Sequence, residues 1–133
     1  MDGQGRIGAA VVAVVGDGLA AETSARYLAA AGVGTLRLIA RLPPTDVVAG
    51  ALRGSNPDLV LQHRPPPDDQ DALAGCAAVV RFRVAARAAP ELAVAGALAA
   101  ARALRVLAQP SPEEDGGRAR CLVVEPPDEP TFA

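Results

Sequence analysis

The chain has 133 residues, half of them apolar but only 2% aromatic, and alanine alone occurs 30 times. Its 13 basic residues are all arginine and stand against 15 acidic ones, giving a net charge of −2. That balance argues against a nucleic-acid footprint, which needs clustered positive charge. The lack of lysine excludes a Schiff base, a lysine general base and a Walker-type phosphate lysine.

No apolar run reaches the ~18–20 residues of a membrane span. The first residues carry no apolar leader segment, so a cytoplasmic protein without membrane partners is expected. Cys76 and Cys121 form no CxxC pair, which fits reduced thiols and argues against zinc.

In chain order, residues 10–15 are a continuous valine-rich run that ends at Gly16-Asp17-Gly18, as a buried parallel strand does. Leu19, Thr23, Tyr27, Leu28 and Ala31 follow at helical spacing, and Gly32 and Gly34 stop that helix. Residues 35–40 form a second strand. Strand, glycine turn, helix and strand make one βαβ unit, whose crossover implies a parallel pair. Pro43-Pro44 breaks the chain, and Thr45 caps a helix over 46–53. Asn56-Pro57-Asp58 is a turn, and residues 59–61 are a third strand. Residues 63–71 read as a loop, since three prolines cannot sit inside an element.

Residues 77–84 are a fourth strand, and Pro90 opens a long helix to about residue 108. That helix is apolar nearly all round and rich in alanine, with Gly96 among its small residues, so it is buried on more than one side. Either it is a core helix lying on the sheet, or its second face meets another subunit. Residues 109–118 are a polar loop, residues 121–125 a fifth strand, and residues 126–133 a proline-rich tail. The fold class is therefore α/β: a Rossmann-like, mostly parallel sheet of about five strands with helices packed on it. A single domain spans residues 1–125.

The candidate binding residues are Gly16, Asp17 and Gly18. A glycine turn between a strand and a helix lets phosphate approach the amides of the helix N-terminus. Ala21 replaces the third glycine of GxGxxG. Two features oppose binding: Asp17 puts a negative charge where phosphate would lie, and the second strand ends in Ala40 rather than in an acid for a ribose. A purely structural turn is the competing reading.

Other candidates read as structural. His63 is a solvated loop histidine. Cys76 and Cys121 are small buried hydrophobes. Asp68, Asp69 and Asp71 form a solvated acidic loop that lacks the glycine and glutamate of a calcium loop. Arg81 and Arg83 share one face of their strand, with Arg87 nearby. They are either exposed or a hold for an acidic partner tail. No catalytic or metal-ligating residue is assigned.

Gly3-Gln4-Gly5-Arg6-Ile7 followed by residues 10–16 resembles the opening of the ThiF/MoeB/HesA family, which is related to ubiquitin-activating enzymes. Residues 27–36, YLAAAGVGTL, are similar to the same stretch of that family nearly letter for letter. Residues 52–58 resemble its LxxxNPD turn, and residues 89–107 its late small-residue helix. The resemblance covers most of residues 3–108 and implies a compact version of the ThiF fold. It also implies a chemistry: ATP- and magnesium-dependent adenylation of the C-terminal glycine of a ubiquitin-like or sulfur-carrier protein.

The family's working groups do not carry over. Two of the four glycines of its GAGGLG turn remain. Its ribose aspartate falls on Ala40 and its magnesium carboxylate on Val84. Its SNLNRQ arginine has no counterpart between residues 42 and 51, and its lysine is missing. Adenylation needs cations on the triphosphate and a carboxylate on magnesium. The expectation is thus a truncated, non-catalytic pseudoenzyme that acts as a binding or scaffolding subunit, assembling with itself or with an active relative. No cofactor is expected, ATP being the one candidate. The alternative is a minimal adenylyltransferase that borrows groups from a partner chain to activate a ubiquitin-like carrier protein.

Overall fold

The computed structural model describes residues 3–82, 89–108 and 122–124. The expectations for residues 109–118, Cys121, the tail, Arg83, Val84 and Arg87 fall outside them. The elements run α1 (Gly3–Ala9), β1 (Val11–Val15), α2 (Leu19–Ala30), β2 (Thr35–Ile39), α3 (Asp46–Ser55), β3 (Val60–Arg64), α4 (Gln70–Leu73), β4 (Ala78–Arg81), α5 (Ala89–Ala108) and β5 (Leu122–Val124).

Every pairing in the sheet is parallel. Four strands in the order β3-β2-β1-β4 form its body, and β5 adds a three-residue edge beside β4. Val12, Ala13 and Val14 of the central strand β1 are buried, which explains why this strand is apolar at every position rather than at alternate ones.

Residue alternation separates the two faces. Val12, Val14, Leu36, Ala78 and Val80 meet α2, α3 and α5 in the larger core. Ala13, Ile39 and Val79 point the other way and meet α4 residue Ala72 and Cys76 in the smaller one.

This division fixes the hand of each crossover. The steps β1→β2 and β2→β3 run toward one edge with α2 and α3 on the first face. The step β3→β4 returns toward the other edge with α4 on the second face, which preserves the hand. The step β4→β5 continues in that direction, yet α5 lies on the first face. Its hand is therefore opposite to the other three, against a preference that holds in roughly 98% of such units.

The small residues of α5 let it pack closely there. Gly96 presses on α2, where a Cβ would collide with the Ala20 carbonyl oxygen and lie about 3.0 Å from Thr23 Cβ. Ala99, Ala100 and Ala103 are buried below it, in one core with Ala21, Ala25 and Leu28. The helix thus lies in the larger core beside α2, while Leu98, Ala101, Arg102 and Arg105 remain exposed.

Helix ends follow the local chemistry. After α2, Val33 N donates to Leu28 O and Gly32 N to Ala29 O, with Gly32 at φ +96°, which is a Schellman stop. Thr45 caps α3, its Oγ1 accepting from Val48 N at 3.3 Å. Thr45→Ala is expected to lower the unfolding free energy by about 1 kcal/mol, read from urea titration. Thr45→Ser should recover most of that loss.

Several expectations are corrected. Residues 63–71 are not one loop: His63 and Arg64 end β3, while Gln70 and Asp71 begin α4. His63 is accordingly a half-buried strand residue whose Nε2 donates to Ala40 O at 2.9 Å. The acids of that stretch are engaged as well, since Asp68 pairs with Arg81 and Asp69 Oδ1 caps α4 by accepting from Ala72 N. Arg81 is thereby a paired residue on the second face rather than a simply exposed one.

The helices α1 and α4 were not anticipated. The first is pinned by Arg6 Nη1, which donates to Ala108 O at the end of α5, and by Gln4 Nε2, which donates to Ala31 O. Cys76 is buried as expected.

Candidate functional site

The glycine turn forms where β1 ends. Gly16 has φ +140° and Gly18 φ +101°, conformations that residues with a side chain rarely adopt. Gly16 N donates to Ile39 O, and Phe82 N at the end of β4 donates to Val15 O, so the turn is held from both sides. Gly18 stands at the N-cap of α2 and supplies no side-chain cap, which leaves the first amides of that helix available to a ligand.

Asp17 does not lie over those amides, as the sequence suggested. Its carboxylate turns sideways to the end of β2. There Oδ1 accepts from Arg41 N at 3.2 Å, and Oδ2 lies 3.6 Å from Arg41 Nε. Both side chains are open to solvent, Asp17 at 41% and Arg41 at 75%, so the pair contributes at most about 1 kcal/mol to stability. What it fixes is position: a carboxylate beside Ala40, the place where a dinucleotide-binding domain carries its ribose acid. Nothing in the local sequence says which way Asp17 turns, since its partner Arg41 lies 24 residues on.

A cavity of about 240 Å³ opens at this spot, between the turn, the end of β2 and the start of α3. Leu38, Leu42, Pro43 and Val48 give it apolar walls, and Val14 and Ala21 line it from β1 and α2. Its ionisable lining residues are Asp17 and Glu22, both acidic. Glu22 is engaged by Arg26, whose Nη2 donates to Oε1 at 2.9 Å. The structure thus joins Gly16, Asp17 and Gly18 in one site. Among the described residues no cluster of three His, Cys, Asp or Glu side chains is placed to hold a metal ion.

Solved structures with this architecture exist. The E. coli tRNA N6-threonylcarbamoyladenosine dehydratase TcdA aligns over 92% of this chain and 54% of its own, with a TM-score of 0.55 and 17% identity. A second TcdA structure, also called CsdL, aligns over 70% and 46%, with a TM-score of 0.52 and 19% identity. PaaA aligns over 59% and 32%, with a TM-score of 0.52 and 18% identity. The chain therefore spans between about a third and a half of the length of these proteins. They are members of the ThiF/MoeB family, and the fold of this chain is ThiF-like. No family model matches the sequence, and no curated protein matches it. Among the described residues no helix is long and apolar enough to cross a membrane.

Proposed function

We propose that the chain is a non-catalytic ThiF-like subunit that binds or scaffolds a protein partner, either a second copy of itself or an active relative. The observation that carries this reading is the charge of the cavity. Both ionisable residues lining it are acids, each already paired with an arginine outside the lining, and among the described residues no cation lines the cavity. A triphosphate placed there would meet no cation of the lining where adenylation requires cations, and losing one such stabilising group commonly costs ~10²–10³ in rate.

The joint after β4 supports the same reading. Only residues 82–88 separate β4 from α5, and the resemblance places its magnesium carboxylate within them, at Val84. Exposed Tyr27 on α2 and Leu98 on α5 offer apolar surface for a partner, at 55% and 53% exposure.

Two measurements test the proposal. Light scattering is expected to show an oligomer, alone or with a ThiF-like relative from the same cells. ATP–pyrophosphate exchange by the isolated chain is expected to stay at background. A strict monomer under both conditions, or exchange above background, would overturn it.

One observation favours the alternative, a minimal adenylyltransferase activating a ubiquitin-like carrier: a cavity is retained at the glycine turn, and one TcdA structure of this fold is a complex with AMP. That reading requires exchange to appear when a partner chain and the carrier are supplied together.

A further inference from the structure

We infer that the outer edge of β3 is an interface at which a second copy of this chain pairs antiparallel, joining the two sheets across a dyad at Gln62. The inference rests on the reading of the chain as an assembling subunit, and it names the partner and the surface. β3 ends the sheet, and no strand of the described residues lies beyond it. Val60 N donates to Gly34 O, and Arg64 O accepts from Ala40 N, so residues 60, 62 and 64 bond to β2 through their backbone groups. The alternate residues Leu61 and His63 turn their N–H and C=O outward, as the ladder pattern requires. Such a row is a template for another strand.

Three observations select a second copy. First, the edge matches itself. With Leu61 of one copy opposite His63 of the other, and the reverse, every one of these outward groups is paired, and among two-fold registers only a dyad at Gln62 achieves this. Second, the charges match. Exposed Asp58 precedes the strand and exposed Arg64 ends it. An antiparallel copy brings each end toward the opposite sign, whereas a parallel one sets like beside like. Third, the edge is bounded. Leu59 N already donates to Asn56 O, and residues 65–67 are prolines without an amide hydrogen. It accepts one short strand, and a two-fold contact of this kind closes as a dimer rather than a fibre.

At the dyad the two Gln62 side chains meet. Arg37 Nε donates to Gln62 Oε1 at 2.9 Å, so the side chain is already ordered and its Nε2 can donate across the dyad.

The register also sets Val60 of one copy opposite Arg64 of the other. Light scattering of the full chain is expected to show a dimer. Val60→Lys places like charges opposite each other at two symmetric points and is expected to weaken the dimer by about tenfold, while Val60→Glu keeps or tightens it. Adding Arg64→Glu to Val60→Lys is expected to restore it. Gln62→Cys is expected to give a disulfide-linked dimer on mild oxidation, above the level of the parent chain, because a non-hydrogen-bonded pair sets its Cα atoms about 4.5 Å apart. Val60→Cys is not expected to cross-link, since its two copies are offset along the strands. Thermal melting establishes that each variant is folded, and Val60→Glu tests the surface without weakening it. A dimer indifferent to Val60→Lys, equal cross-linking at positions 60 and 62, or assembly with a ThiF-like relative alone overturns the edge assignment and leaves the subunit reading standing. A strict monomer with and without that relative overturns both.

Discussion

Replacing Arg37 by methionine is expected to destabilise the protein by about 2–5 kcal/mol, a large share of what a domain of this size has. Arg37 is only 8% exposed, on the second face of the sheet. Its Nη1 donates to Ala72 O at 2.8 Å and Ala74 O at 2.7 Å, and its Nε donates to Gln62 Oε1 at 2.9 Å. Nη1 also lies 3.4 Å from Cys76 Sγ.

One guanidinium therefore satisfies the carbonyls at the end of α4, fixes the outer strand β3 through Gln62, and fills the space under the loop. Methionine keeps much of the volume but leaves the buried Ala72 carbonyl without this donor, which costs about 1–3 kcal/mol, and it also loses the part-buried charge-assisted bonds to Ala74 O and Gln62 Oε1. Arg37→Lys is expected to recover part of the loss, since an ammonium reaches one or two of the acceptors but not all. Urea titration of the three proteins checks the order, and a methionine variant as stable as the parent would refute the account.

Gly96→Ala is the second large effect. The added methyl would meet the Ala20 carbonyl oxygen and crowd Ser24 N, both backbone atoms of α2 that cannot rotate away. Helix propensity alone would make alanine better than glycine by up to about 1 kcal/mol. Overpacking typically costs about 1–3 kcal/mol. The expected net result is a loss, with Gly96→Val worse again because a branched side chain adds two more carbons to the same gap. Thermal melting of both variants checks this, and a gain in stability for Gly96→Ala would mean that α5 is not seated on α2 as closely as described.

The comparison of sequence with structure turns on whether the signal is local. The βαβ unit was legible because continuous apolar strands, a glycine turn and a Schellman stop are written in adjacent residues. Thr45 as a cap was legible for the same reason. The short helices α1 and α4 were not, because each has under two full turns facing the core and draws its stability from distant partners, Ala108 for Arg6 and Arg37 for the end of α4. A buried arginine inside a strand looks in sequence like any solvated charge.

The site divides in the same way. Its glycines were found from spacing. The turn of the Asp17 carboxylate toward the end of β2 was not legible, since its bond to Arg41 spans 24 residues. The reversed hand of the last crossover was equally hidden: the small residues of α5 announced burial on two sides, but not which face of the sheet they would share.

The bonding of Arg37 has one more consequence. The guanidinium meets neutral oxygen and sulfur atoms of Gln62, Ala72, Ala74 and Cys76, and its bonds to Ala72 O and Cys76 Sγ are buried. Mobile ions weaken attraction between exposed opposite charges, as at Asp17 and Arg41, but find little to screen around a cation enclosed by dipoles. Raising ionic strength should therefore loosen the rim of the cavity while the second face of the sheet holds, so that two places four residues apart answer differently to the same salt.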